Sequence, residues 1–198
     1  FPLTKIGKIK RVDVSTYQAI SGAGKDAIIE YDNQIHQHNN NEFLTVKYFQ
    51  EPILGNCFSH DSKMDVESGY NEEELKIIKE TKKILECDFE ISATCVRVPV
   101  LRTHTESVTV VFDEYIVEEK IRNMLEEQEG VKIIDNRHDN IFPTPYKSTS
   151  KTEIFVGRIR NDYYNKKIYH FLISGDQLLK GASWNAFQIF QKTLKIEK

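Results

Sequence analysis

Long apolar runs are missing from this 198-residue chain. No stretch approaches the roughly 18–20 residues that span a bilayer, so no membrane-spanning helix is expected. A secretory leader is not expected either, because Lys5, Lys8, Lys10 and Arg11 interrupt every early apolar stretch. Cysteine is scarce: Cys57, Cys87 and Cys95 are odd in number and form no close metal-binding pair. They give no disulfide framework and no reason to expect a metal, and they read as reduced thiols of a cytoplasmic protein. A dominant charge is lacking as well. The 27 basic and 30 acidic side chains leave a net −3, with no basic stripe to hold nucleic acid. Internal repeats are also absent. What is present, 39% hydrophobic and 11% aromatic residues, suffices for one globular core and argues against disorder. The chain opens Phe1-Pro2-Leu3-Thr4 without an initiator Met, which points to processing, an expression boundary or a domain cut from a longer protein.

Patterning gives a mixed order of elements. Val12–Thr16 is β-prone and runs through the small residues 17–24 into Lys25–His36, where Ala27, Ile28, Tyr31 and Ile35 recur at helical spacing. A strand feeding a helix through glycines leaves free N–H groups for an acceptor, or simply permits a tight turn. Phe43–Phe49 reads as a strand ended by Glu51-Pro52, and Asn56–Gly69 as a long loop of the kind retained for function. Asn71 caps a helix to about Glu86, acidic at its start and basic later, with Leu75, Ile78, Thr81, Lys82 and Leu85 inward. Glu90–Arg97 and Glu106–Phe112 are strands; Glu118–Glu127 is a helix with Ile121, Met124 and Leu125 on its apolar side; Val131–Ile134 is a short strand. Asp135–Ser150 is a loop, Glu153–Arg160 and Lys167–Ser174 form a hairpin, and Gln177 to about Leu194 is a closing helix. Strands and helices do not alternate strictly. An α+β domain follows, with a mixed or mostly antiparallel sheet and helices on one face.

Chemical potential is densest in Cys95–His104. On a strand, Cys95 and Arg97 share a face. Arg97 offers a planar fork suited to a carboxylate or phosphate, or pairs with a structural acid. His104 lies just beyond, able to exchange protons near neutrality or to sit as an ordinary surface histidine. Glu73 and Lys76 are i and i+3 on a helix, as a solvated ion pair or as two halves of a site. Cys95 with His104 has the residue types of a nucleophile pair, although a strand-centre cysteine is more often a small buried hydrophobe.

Six blocks in order carry a resemblance: VSTYQAISGAG (14–24), GYNEEELKIIKETKKIL (69–85), ATCVRVPVLRTHTESV (93–108), FPTP (142–145), VGRIRND (156–162) and GDQLLKGASWNAFQI (175–189). Together they resemble the C-terminal catalytic and dimerisation domain of the aspartate-β-semialdehyde dehydrogenase family, and FSH at 58–60 looks most like its plant-type branch. The resemblance implies a fold like the C-terminal domain of glyceraldehyde-3-phosphate dehydrogenase, whose sheet face builds a homodimer, with a tetramer left open. It implies NADPH-dependent reduction of L-4-aspartyl phosphate to aspartate semialdehyde and phosphate, on the route to lysine, threonine and methionine. A thiolate attacks the acyl phosphate, phosphate leaves, and hydride reduces the thioester.

By the same resemblance, Gln18 orients substrate and intermediate, Arg97 grips the substrate α-carboxylate and His104 is the acid/base residue. Glu73 faces the substrate amino group and Lys76 the phosphate. Ser21 and Gly22 approach NADP, with Gln177 and Asn185 as further cofactor contacts. No metal, membrane or nucleic acid is implied, and the compartment is cytoplasmic, or plastid in a plant-like source. The family's nucleophilic cysteine and its N-terminal NADP-binding domain lie upstream of the VSTYQA block. Residues 1–198 then form a single catalytic and dimerisation domain, with residues 175–194 packing toward the nucleotide domain. Thr103 stands where the family has a small residue before the histidine. Two alternatives are an N-acetyl-γ-glutamyl-phosphate reductase, for which Glu73 has no ammonium to meet, and a non-catalytic dimerisation scaffold, which has no use for five polar site residues together.

Overall fold

A computed structural model describes residues 1–194 of the chain. After a 3₁₀ turn at Pro2–Lys5 come β1 (Ile9–Gln18), α1 (Lys25–Asn39), β2 (Phe58–Ser59), α2 (Glu72–Leu85), β3 (Glu90–Arg97), β4 (His104–Phe112), α3 (Glu118–Glu126) and β5 (Val131–Ile133). A single turn, α4 (Pro145–Ser148), precedes the hairpin β6 (Ile154–Asn161) and β7 (Ile168–Gly175), and α5 (Trp184–Thr193) closes the described chain. The seven strands form one sheet in the order β2-β3-β1-β4-β7-β6-β5. Pairings β1–β3 and β5–β6 are parallel and the other four antiparallel. The expected α+β class and mixed sheet are both found.

This topology gathers chain ends. Parallel β1 and β3 finish together, with Gln18 opposite Arg97. Antiparallel β4 starts at the same edge, with Thr105 opposite Tyr17, and β7 ends there, with Gly175 opposite His104. One face of the sheet carries Val110, Phe112, Val156, Tyr169 and Phe171 against Ile121 and Leu125 of α3. A smaller cluster of Ile20, Ala27, Phe49 and Ile53 lies under α1. On the opposite face Arg11, Tyr17, Thr94 and Ser107 are exposed.

The capping box at Asn71 forms as the sequence suggests. Asn71 Oδ1 accepts from Glu74 N–H at 2.9 Å, and Glu74 Oε2 accepts from Asn71 N–H at 3.0 Å. The second Glu74 oxygen accepts from Cys95 N–H at 3.0 Å, which ties the start of α2 to β3. Glu74 is therefore buried and Lys82, expected inward, is exposed. Helical spacing alone misplaces both, because a buried carboxylate that satisfies two backbone donors is more useful there than an aliphatic stem.

Three more expectations change. Phe43–Phe49 is not a strand. Buried Glu30 of α1 accepts from Lys47 N–H at 2.6 Å, Phe49 N–H at 3.4 Å and also Tyr48 N–H. Gln34 accepts from Ile53 and Leu54 N–H at 3.0 Å each, and Gln37 from Thr45 N–H at 2.9 Å. Helix side chains thus take the donors that a β-ladder would need. The closing helix is shorter than expected, because Asp176 bends residues 176–178 into a turn by accepting from Leu178 N–H at 3.0 Å. Leu179–Ser183 then make a π-helical turn before α5. The loop Asp135–Ser150 contains α4, started by Thr144 with Pro145 in its first turn.

Glu30→Ala removes the carboxylate that accepts from the Lys47, Tyr48 and Phe49 N–H groups. It is expected to destabilise the chain by about 2–3 kcal/mol in urea unfolding, with loosening confined to residues 45–54 in amide exchange.

Candidate active site

The sheet edge described above holds most of the residues singled out in the sequence. Ala19, fully buried, follows directly on β1. Its N–H donates to His104 Nδ1 at 2.9 Å, and its carbonyl accepts from Arg97 Nη1 at 2.8 Å. Ile20 and Ser21 N–H donate to Val100 and Leu101 carbonyls at 2.8 and 2.9 Å, so the 19–23 segment is docked on the loop between β3 and β4.

This bond fixes the state of His104. A backbone N–H can only donate, so Nδ1 carries no proton and the neutral ring bears its hydrogen on Nε2. Burial, then the neighbouring Arg97 charge, pull the His104 pKa down from 6.5 to about 4. The imidazole is therefore neutral at pH 7 and presents Nε2–H. A Cβ built on Gly22 would stand 3.1 Å from His104 Cε1, 3.3 Å from Nε2 and 3.9 Å from Arg97 Nη1. The bare Gly22 thus opens a small space that both side chains border.

Arg97 is only 3% exposed at its side chain. Its Nε donates to Asp61 Oδ1 at 2.9 Å, and Nη2 lies 2.7 Å from His60 Nε2. Pairing with a structural acid is thus realised, by a loop residue that spacing could not identify. Burial, then the Arg97 charge, lower the His60 pKa, in keeping with an unprotonated Nε2 facing a pure donor. Gln18 Nε2 donates to Glu73 Oε1 at 3.2 Å, and Lys76 Nζ lies 3.5 Å from Glu73 Oε2. Gln18 Oε1 is buried without a partner, an acceptor held in reserve. Across the edge, Gln177 donates to Ser21 Oγ at 2.6 Å and accepts from Thr103 N–H at 2.9 Å.

Eight of the nine expected site residues therefore meet: Gln18, Ser21, Gly22, Glu73, Lys76, Arg97, His104 and Gln177. Asn185 does not join them; it lies exposed on α5, displaced by the turn at 176–183. Cys95 is buried, and burial pushes its thiol up to about 11, the behaviour of a small hydrophobe and not of a nucleophile. The sequence reading missed His60, Asp61 and Asp176. His60 stands in the FSH at 58–60 and Asp176 in the GDQLLKGASWNAFQI block, while for Asp61 the polar, aperiodic 56–69 loop was the only signal. A surface concavity of about 870 Å³ lies at the other end of β1 between Lys8–Arg11 and Leu85–Glu90, away from all of these groups.

Thr103, the residue before His104, has φ of 83° and is fully buried. A β-branched residue there is strained by about 1–3 kcal/mol. It is held by its N–H bond to Gln177 and by its hydroxyl, 2.8 Å from Thr149 Oγ1. Because Thr149 Oγ1 already donates to the Pro145 carbonyl at 2.8 Å, Thr103 is the donor of that pair.

Two outcomes follow. Thr103→Ala keeps the strain and loses the bond, costing about 1–2 kcal/mol in urea unfolding, whereas Thr103→Gly relieves the strain and costs less. In ¹⁵N NMR of the imidazoles, His104 is expected as the Nε2–H tautomer down to about pH 5, titrating near 4. The unfolded chain takes up this proton near 6.5 and the folded one resists it to about 4, so stability falls as pH drops through that window. His104→Asn flattens this part of the fall.

Comparison with known proteins agrees with this fold. The family described as "Semialdehyde dehydrogenase, dimerisation domain" matches residues 1–180. Aspartate-semialdehyde dehydrogenase of Helicobacter pylori J99 is 40% identical over 198 residues, 95% of this chain and 57% of that protein. The Bacillus subtilis enzyme of the same name is 37% identical, covering 98% of this chain and 59% of its own length. The chain thus spans a little over half of the curated relatives it matches. Among solved structures, aspartate semialdehyde dehydrogenase II from Vibrio cholerae superposes with a TM-score of 0.93 at 32% identity, over 100% of this chain and 58% of that one. A second structure of the same enzyme, complexed with ASA, matches equally well. With its fold, its ordered sequence blocks and its polar sheet edge in agreement, the chain belongs to the semialdehyde dehydrogenase dimerisation-domain family.

Proposed function

We propose that this chain is the substrate-binding and dimerisation part of an aspartate-semialdehyde dehydrogenase, which reduces L-4-aspartyl phosphate with NADPH to aspartate semialdehyde and phosphate. The observation that carries the reading is the backbone of Ala19, which holds Arg97 by its carbonyl and His104 by its N–H on either side of the space at Gly22. Curated relatives with that enzymatic name support it, as does the V. cholerae enzyme complexed with ASA.

The substrate brings a carboxylate, an ammonium, an acyl carbonyl and a phosphate. Arg97 takes the carboxylate. Glu73, with the free Gln18 Oε1 beside it, takes the ammonium, and Lys76 takes the phosphate. When the thiolate of the complete enzyme attacks the acyl carbon, negative charge grows on the carbonyl oxygen. His104 meets it with Nε2–H, and a preorganised donor of this kind contributes about 10²–10³-fold in rate. The neutral ring acts here first as a donor. Nε2 becomes a proton acceptor only after its own hydrogen has been passed on, because Nδ1 is committed to Ala19. Ser21, Gly22 and Gln177 fit a cofactor contact, since they converge next to His104 where a Cβ would intrude; NADPH held there would supply the hydride. The apolar side of α5, with Phe187, Ile189 and Phe190 each 44–58% exposed, would pack toward the nucleotide domain, as expected for the 175–194 segment. The exposed sheet face would form the homodimer, and the compartment would be the cytoplasm. Asn185 is retained as a cofactor contact only for the assembled enzyme.

The test is turnover by the complete enzyme with aspartate semialdehyde, phosphate and NADP. Phosphate-dependent activity is expected, with a loss of about 10²–10⁴-fold in kcat for His104→Asn and a raised KM for the semialdehyde in Glu73→Gln. Activity only with N-acetylglutamate semialdehyde would transfer the chain to the acylated-substrate reductases, and unchanged kcat in His104→Asn would remove His104 from the chemistry.

A further inference from the structure

Arg97 has five N–H bonds to offer, and most of them are already spent inside the protein. Nε donates to Asp61 Oδ1 at 2.9 Å, and Nη2 stands 2.7 Å from the same Oδ1 and 2.7 Å from His60 Nε2. Nη1 donates to the Ala19 carbonyl at 2.8 Å. One N–H of Nη1 remains, on the side that faces the Gly22 space. The guanidinium is clamped along one edge and open only at the opposite corner.

Two features of the clamp are informative. Both Arg97 contacts with Asp61 converge on Oδ1, so the carboxylate is used as a single acceptor oxygen and not as a two-oxygen fork. Asp61 also sits on the loop after β2, between the paired Phe58–Ser59 and Ser62, whose Oγ accepts from Glu73 N–H at 3.2 Å. The loop therefore touches the two groups proposed to hold the carboxylate and ammonium of the substrate. A side chain that merely neutralised a buried arginine would not need to present one oxygen to two of its nitrogens.

We propose that Asp61 is a positioning residue for Arg97, holding the guanidinium edge-on through Oδ1 so that its Nη1 corner faces the substrate carboxylate. The inference rests on the reading of Arg97 given above. It also makes a prediction about charge. What positions Arg97 is an oxygen in the right place, which an asparagine supplies equally. The negative charge of Asp61 adds nothing to the geometry and opposes the incoming carboxylate.

The experiment has two arms. In this chain, ¹⁵N NMR of the arginine Nε–H groups follows Arg97 directly. A dispersed, slowly exchanging Arg97 signal is expected in the wild type and in Asp61→Asn, and an averaged, fast-exchanging one in Asp61→Ala. In the complete enzyme, Asp61→Ala is expected to raise KM for aspartate semialdehyde at least tenfold, with kcat and KM for phosphate changed less than threefold. Asp61→Asn is expected to give a semialdehyde KM equal to or below that of the wild type. A protected Arg97 signal in Asp61→Ala overturns the proposal, and so does an Asp61→Asn variant as impaired as the alanine one. Should Asp61→Ala not fold, the asparagine comparison decides alone: loss of the Arg97 signal or a raised semialdehyde KM in Asp61→Asn sinks the idea. If the wild-type enzyme shows no turnover, the functional reading fails, while the NMR arm still decides whether Asp61 positions Arg97.

Discussion

The site depends on the peptide backbone of a single residue. Ala19 is fully buried, and both of its polar groups leave the β-ladder to serve side chains, the N–H going to His104 and the carbonyl to Arg97. A buried backbone group must be satisfied, so the fold cannot release either side chain without orphaning its partner. The geometry of the candidate site and backbone satisfaction thereby become the same constraint. It explains why two residues seven positions apart, at the end of β3 and the start of β4, hold a fixed relation although the loop between them contains a strained threonine.

The sheet supplies the setting for that peptide. Because β1 and β3 are parallel neighbours, Gln18 and Arg97 arrive at one edge in register, and antiparallel β4 begins there with His104. α2 could have drifted relative to this edge, but Glu74 spends its two oxygens on the helix start and on β3. Glu73, its neighbour, is thereby delivered to Gln18. From the other side Asp176 fixes the chain after β7 through Arg102 Nε at 2.9 Å and Ser150 N–H at 2.7 Å, which directs Gln177 back to Thr103 and Ser21. Buried acids thus do the placing, each satisfying backbone donors or a guanidinium that would otherwise be stranded.

Much of this was legible in the sequence where local pattern and tertiary need coincide. Glu90–Arg97 alternates because one face is buried, and the Asn71 cap works through its own helix turn, so both read correctly. The segment 43–49 has strand-like alternation, but its donors are claimed by Glu30 and Gln34, residues whose burial nothing local announces. Lys82 and Glu74 exchange places for a similar reason. At the site, residue types and ordered blocks pointed to Arg97, His104, Glu73 and Lys76. Asp61 stayed hidden because an acid in an aperiodic loop is ordinary until a strand 36 residues away brings an arginine to it. Asn185 falls on α5 beyond the turn at Asp176 and is exposed there.

The two halves of the site differ in freedom, and the difference fits the proposed chemistry. Arg97 and Asp61 are 3% and 15% exposed at their side chains, whereas Lys76 is 55% exposed. Rigid, desolvated groups hold what must not move, the amino-acid end that both enters and leaves as part of the same product. An exposed lysine on a flexible stem suits a group that must depart within the reaction, because a buried cation would hold phosphate too firmly once the carbon–oxygen bond has broken. His104 stands between these regions, neutral and with one hydrogen to give. Its neutrality follows from burial and from Arg97, the same cation proposed to hold the substrate carboxylate. On the proposed reading Arg97 serves both functions at once, since the charge proposed to hold the carboxylate also keeps the neighbouring imidazole a neutral donor.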